Sequence, residues 1–140
     1  MTNPFSALGL PEAVVKAVTA LGYTDPTPVQ QQAIPVLLAG RDVLAAAQTR
    51  TGPPPPHRAG GSNPAAFALP VIAKMLSDPR ARTPKSVRAL ILAPTRELAA
   101  QIDENIRAYC QGSDLTSVLV FGGVNIHPQT AALANGCDFL

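Results

Sequence analysis

Three short apolar runs, at residues 42–47, 87–93 and 117–121, alternate along this chain with stretches whose apolar residues recur every three or four positions. A run of that length bounded by polar residues suits a strand buried on both faces, and the longer spacing suits an amphipathic helix. Each connection is long enough to cross over and return a strand in parallel, so the alternation implies an α/β open sheet flanked by helices. In such sheets ligands bind beyond the carboxyl ends of the strands. The loops at 48–64, 94–95 and 122–123 are therefore expected along one edge, and any chemistry belongs there.

The helices carry their own punctuation. Pro11, followed by Val14, Val15, Val18 and Leu21, places a proline in a first turn, with Gly22 as the stop. Thr27, Pro28 and Gln30 form a capping box ahead of Ala33, Ile34, Leu37 and Leu38, and Gly40 ends that helix. Periodicity resumes at 65–76, where Pro70 predicts a kink or a late start. Thr95 is placed to cap a helix bearing Leu98, Ile102, Ile106 and Tyr109; a short helix is expected over 128–134 and a strand just beginning at Cys137. Residues 77–86 read as a basic linker.

At 140 residues the chain suffices for one domain, 1–140. It has no apolar run long enough for a membrane span and no basic-then-apolar leader, which points to a cytoplasmic protein with no membrane partner. Two cysteines, Cys110 and Cys137, make neither a disulfide framework nor a four-ligand zinc site, and are expected to be reduced and packed as small hydrophobes. Charge is uneven: residues 50–88 hold seven of the eleven Lys and Arg, against the single acid Asp78. That segment either attracts a phosphate polyanion or is a solvated loop.

Four segments carry more specific information. Residues 22–30 include Tyr23 and Gln30, with Phe5 an isolated aromatic upstream; residues 47–52 follow the first apolar run where a phosphate-binding loop would stand; Pro94, Thr95, Arg96 and Glu97 follow the second; Gly122 and Gly123 follow the third. In order and spacing these resemble the Q motif, the start of Walker A, motif Ia and the double-glycine motif of DEAD-box RNA helicases, most closely the bacterial RhlE-like proteins. The resemblance covers nearly the whole chain except residues 53–64. It implies the first half of an N-terminal RecA-like domain of the P-loop NTPase type, with ATP and Mg as the family's cofactors. Within 1–140 it marks 1–40 as the Q-motif region, 48–64 as a disrupted P-loop and 87–140 as the region of motif Ia and the paired glycines. It assigns Phe5, Tyr23, Gln30, Thr49, Thr51 and Gly52 to the nucleotide. It assigns Pro94, Thr95, Arg96, Glu97, Gly122 and Gly123 to single-stranded RNA, through its phosphate backbone. Read from the residues alone, Gln30 either pairs with the adenine edge or closes the capping box to Thr27. Motif Ia is alternatively an ordinary capped helix, and Gly122–Gly123 a plain turn.

The departures are equally informative. A working Walker A loop ends in Gly-Lys-Ser/Thr, whose amides, lysine and hydroxyl hold phosphates and magnesium. Here Arg50 replaces a closing glycine, Pro53 the lysine and Pro54 the hydroxyl residue, and 55–64 intervene before Ala65. Proline has no N–H, so Pro53, Pro54, Pro55 and Pro56 withdraw donors where an anion needs them. Losing two charge-assisted hydrogen bonds of about 1.5–3 kcal/mol each weakens nucleotide binding by roughly two to four decades. No Asp-Glu-Ala-Asp run occurs, and Asp103-Glu104 stand mid-helix. The expectation is therefore an N-terminal fragment of an ATP-dependent RNA helicase, without a second RecA-like domain, that is not catalytic by itself. The alternatives are a nucleotide-independent RNA-binding module using Arg96, the paired glycines and residues 80–88, and weak adenine recognition without phosphate contacts. An apolar sheet edge left open would favour self-association and a poorly stable chain.

Overall fold

A computed structural model of the chain describes residues 3–46 and 64–140. Contacts divide the chain into two compact units, Met1–Asp78 and Pro79–Leu140.

The described part of the first unit is helical. A 3-10 turn at Ser6–Leu8 closes on Gly9, whose φ of 87° suits a residue without a Cβ. Then come α1 (Glu12–Ala20), α2 (Pro28–Leu38) and α3 (Ala65–Ser77). Pro11 stands at the N-cap of α1 rather than in its first turn, and the stripe Val14, Val15 and Val18 is buried while Leu21 is exposed. The capping box of α2 forms as its sequence requires: the Gln30 N–H donates to Thr27 Oγ1 at 3.4 Å and the Thr27 N–H to Gln30 Oε1 at 3.0 Å. Helix α3 is apolar nearly all round, burying Ala65, Ala66, Ala68, Leu69, Ile72, Ala73 and Met75, as befits a helix packed against both α1 and α2. It runs through Pro70 from Ala65 onward, with no late start. Packing of so many buried side chains outweighs the one hydrogen bond that a proline removes.

The first predicted strand does not form within the described residues. Residues 41–46 take no regular secondary structure and are exposed, Leu44 fully so. A strand is stable only when neighbours take up its N–H and C=O groups, and no described strand pairs with this segment.

The second unit is a pair of parallel βαβ crossings. Its order is β1 (Val87–Ala89), α4 (Arg96–Tyr109), α5 (Ile126–Leu133) and β2 (Cys137–Phe139). Strand β2 is central. It pairs in parallel with β1, Val87 opposite Cys137 and Ala89 opposite Phe139, and on its other side bridges Ser117 in parallel through Phe139. The Ile91 N–H donates to the Leu140 carbonyl at 2.7 Å and the Val118 N–H to the Phe139 carbonyl at 2.9 Å, so pairing continues beyond the regular strands on both sides. Cys137, Asp138 and Phe139 are all buried.

The outer runs are thus shorter as regular strands than the patterns at 87–93 and 117–121 predict, and less buried: Leu90 is 61% and Leu92 84% exposed. Only β2 has neighbours on both edges, whereas nothing among the described residues pairs with the far edge of β1. Helix α5 begins two residues earlier than expected because Asn125 caps it, its Oδ1 accepting the His127 N–H at 3.0 Å. The basic linker is folded rather than free: Gly136, at φ 76°, lies against the turn at Thr83 and Ser86, where a Cβ would overlap the Thr83 carbonyl. Cys110 and Cys137 are buried thiols, as their sequence context predicts.

Candidate functional site

At the carboxyl end of the β1 run the chain turns at Pro94 and enters α4. Thr95 stays extended, with ψ 155°, and its Oγ1 accepts the Leu98 N–H at 3.2 Å. Arg96 and Glu97 occupy the first helical turn, where no carbonyl of the helix can reach their amides. From the run on the other side of β2 the chain arrives through Phe121 at Gly122 and Gly123. The Arg96 guanidinium carbon stands 5.4 Å from the centroid of the Phe121 ring, within cation–π range. The same guanidinium lies against Gly123, where a side chain's Cβ would meet Arg96 Nη2. Gly123 has φ 77° and Gly122 faces open space. Two loops separated by a helix are thereby joined through one side chain. Beneath Arg96 a cavity of about 350 Å³ separates α4 from the strands, with Ala99, Ile102, Val118 and Phe139 in its wall.

Three arginines of this unit pair with carboxylates. Arg107 pairs with Asp103 at 2.7 Å, and its Nη2 donates to the Ser117 carbonyl; Ser117 Oγ also bonds Asp103, tying α4 to the third run. Arg82 and Arg88 turn inward to the buried Asp138, at 3.7 and 3.5 Å, and Arg82 further donates to Thr116 Oγ1 and the Asp114 carbonyl. Two charges of the basic segment 80–88 thus pair with a buried carboxylate. Arg96, by contrast, meets no carboxylate among the described residues.

The nucleotide candidates are arranged differently. Phe5 and Gln30 are both fully enclosed, and the Gln30 oxygen accepts from the Thr27 backbone. Tyr23 is half-buried, its N–H bonded to the Val18 carbonyl at 3.0 Å. Thr49, Thr51 and Gly52, with the proline tract, lie outside the described residues. Among the described residues no group of three or more His, Cys, Asp or Glu could hold a metal ion. Phe5 and Gln30 thus present no open face, and the residues that the family resemblance assigns to the phosphates lie outside the described part of the chain.

Two contributors escaped sequence reasoning. Gln129 on α5 holds Phe121 like a strand partner, its Oε1 accepting the Phe121 N–H at 2.8 Å and its Nε2 donating to the Phe121 carbonyl at 3.3 Å. Asp138, one position into a short strand, accepts the Thr116 N–H at 2.9 Å. Nothing in the spacing of a lone glutamine or aspartate marks either.

A parallel sheet crossed by helices, with a capped helix and a glycine pair meeting beyond the strand ends, defines a RecA-like α/β fold. The crystal structure of the RNA-helicase Prp28 from Chaetomium thermophilum bound to ADP matches with a TM-score of 0.77 and 36% identity, over 94% of this chain and 30% of that one. Residues 64–140, more than half of the chain, match the DEAD/DEAH box helicase family, and the chain belongs to that family. Among curated relatives, DEAD-box ATP-dependent RNA helicase 52A of Oryza sativa subsp. japonica is 39% identical over 97% of this chain and 23% of its own length. The probable ATP-dependent RNA helicase ddx3 of Dictyostelium discoideum is 37% identical over 99% of this chain and 19% of its own. The chain spans about a fifth of the length of these relatives.

Proposed function

We propose that this chain is the N-terminal part of an RhlE-like DEAD-box ATP-dependent RNA helicase, and that its retained activity is binding the backbone of single-stranded RNA through Pro94, Thr95, Arg96, Glu97, Gly122 and Gly123. The observation that carries the reading is Arg96, a cation facing no carboxylate among the described residues and held against the loop that bears the paired glycines. A guanidinium in that position, beside helix amides with no partner in their own helix, suits a phosphate oxygen. Helicase names among its relatives support RNA as the polyanion.

In this proposal ATP and Mg bind weakly or not at all, because Pro53 and Pro54 stand where the family places its lysine and hydroxyl, and unwinding by this stretch alone does not occur. The domain is 1–140, with 1–40, 48–64 and 87–140 in the roles the motifs give them, and it works in the cytoplasm. If an adenine site survives, Phe5, Tyr23 and Gln30 form it, with Thr49, Thr51 and Gly52 nearest the phosphates. Titrating labelled single-stranded RNA over a salt series tests the reading. Affinity is expected to fall with salt, and Arg96→Ala to lower it about tenfold at low salt while flattening the logarithmic slope by about 0.7. Salt-independent binding, or none at low salt, would refute it.

A further inference from the structure

The paired glycines are held by something other than their own conformation. Phe121, immediately before them, has both backbone polar groups bound to the Gln129 amide, a side chain supplying the two bonds that a neighbouring strand would make. The Gln129 Nε2 also donates to the Asn125 carbonyl at 3.3 Å, so one amide spans both ends of the loop 121–125. With its backbone fixed in this way, Phe121 presents its ring to Arg96 at 5.4 Å. The ring attracts the guanidinium through its charge and offers no lone pair to its five N–H donors, which keep their capacity for another acceptor. A carboxylate partner would instead occupy some of those donors, as Asp103 does for Arg107 and Asp138 for Arg88.

We propose that Phe121, locked by Gln129, is the positioning residue for Arg96: it fixes the guanidinium without consuming its donors, so that they are delivered together to one phosphate of the RNA backbone. This rests on the RNA-binding reading above. The side chain of a free arginine would have to be ordered upon binding, and ordering it beforehand strengthens the complex.

The test uses the full chain, a fluorescent oligouridylate as probe, anisotropy over a salt series, and the proton shifts of the Arg96 δ-methylene. Phe121→Leu should weaken low-salt affinity about three- to fivefold, flatten the salt slope and abolish the ring-current shift at Arg96, while Phe121→Tyr restores all three. Made on top of Arg96→Ala, Phe121→Leu should cost nothing further. Gln129→Met, close in shape but without the amide, should reproduce part of the loss with the ring still present, and serves as the test should Phe121→Leu melt too low to measure. If the wild-type chain binds and Arg96→Ala weakens it, yet neither Phe121→Leu nor Gln129→Met changes affinity or slope, the positioning role is overturned and the RNA reading stands. If the wild-type chain shows no salt-dependent binding, both fall. Full additivity of Phe121→Leu and Arg96→Ala also rejects the relay.

Discussion

Gly136 and Gly123 look alike in backbone conformation, at φ 76° and 77°, but their surroundings differ in a way that sets different costs. An alanine at either position suffers the left-handed penalty of about 1–2 kcal/mol. At Gly123 the obstructing atom is the end of the Arg96 side chain, which can swing away; at Gly136 it is the Thr83 carbonyl, part of a turn that cannot. Gly123→Ala is therefore expected to destabilise by about 1–2 kcal/mol, and Gly136→Ala by about 2–5 kcal/mol once overpacking is added. Urea melts of the two variants check this order. The buried thiols give a prediction of opposite character. Burial foremost, with the negative charge of Asp138 adding to it, raises Cys110 to about 11, and the same causes raise Cys137. In the unfolded chain a thiol ionises from about 9, so the folded form holds more protons between 9 and 11. Stability should be undiminished by this effect below pH 9 and decline as pH rises towards 11, and replacing Cys110 by alanine should flatten that limb of a pH–Tm profile.

Among the elements, α2 owes its start to three residues and its position to burial. Thr27, Pro28 and Gln30 close the capping box before any tertiary contact is needed, which is why residues 27–30 could be read correctly in isolation. Thr27→Ala should cost about 1 kcal/mol, measurable as a lower denaturant midpoint at unchanged m, whereas Thr27→Ser should be nearly neutral. The strands behave otherwise. An apolar run marks what a segment would bury, but pairing comes from other segments: the 42–47 pattern had no described partner at 42–46, while the shorter run at Cys137 found one on each side and became the buried centre.

For the molecule as a whole, the unpaired edge of β1 matters most. Leu90 and Leu92 are exposed on the run that leaves it, and an uncovered strand edge with apolar flanks is a template for another chain. We expect concentration-dependent self-association through this edge. Sedimentation velocity should show the distribution of the wild-type chain shifting to larger species as concentration rises, and Leu92→Lys should return it towards the monomer; identical profiles for the two would place any association elsewhere.

By itself the sequence determined that the helices exist, the caps at Thr27 and Thr95 and the four family segments, because each depends on residues within one or two turns of each other. It also located Arg96 and the paired glycines as candidates, but not their union. That Arg96 meets Phe121 and Gly123, that Gln129 fixes Phe121, and that Arg82 and Arg88 turn inward to Asp138 were decided only by the tertiary structure. The reason is physical: a guanidinium goes to whichever carboxylate or aromatic face packing brings within reach, and packing joins residues far apart in the chain whose spacing carries no periodic signal.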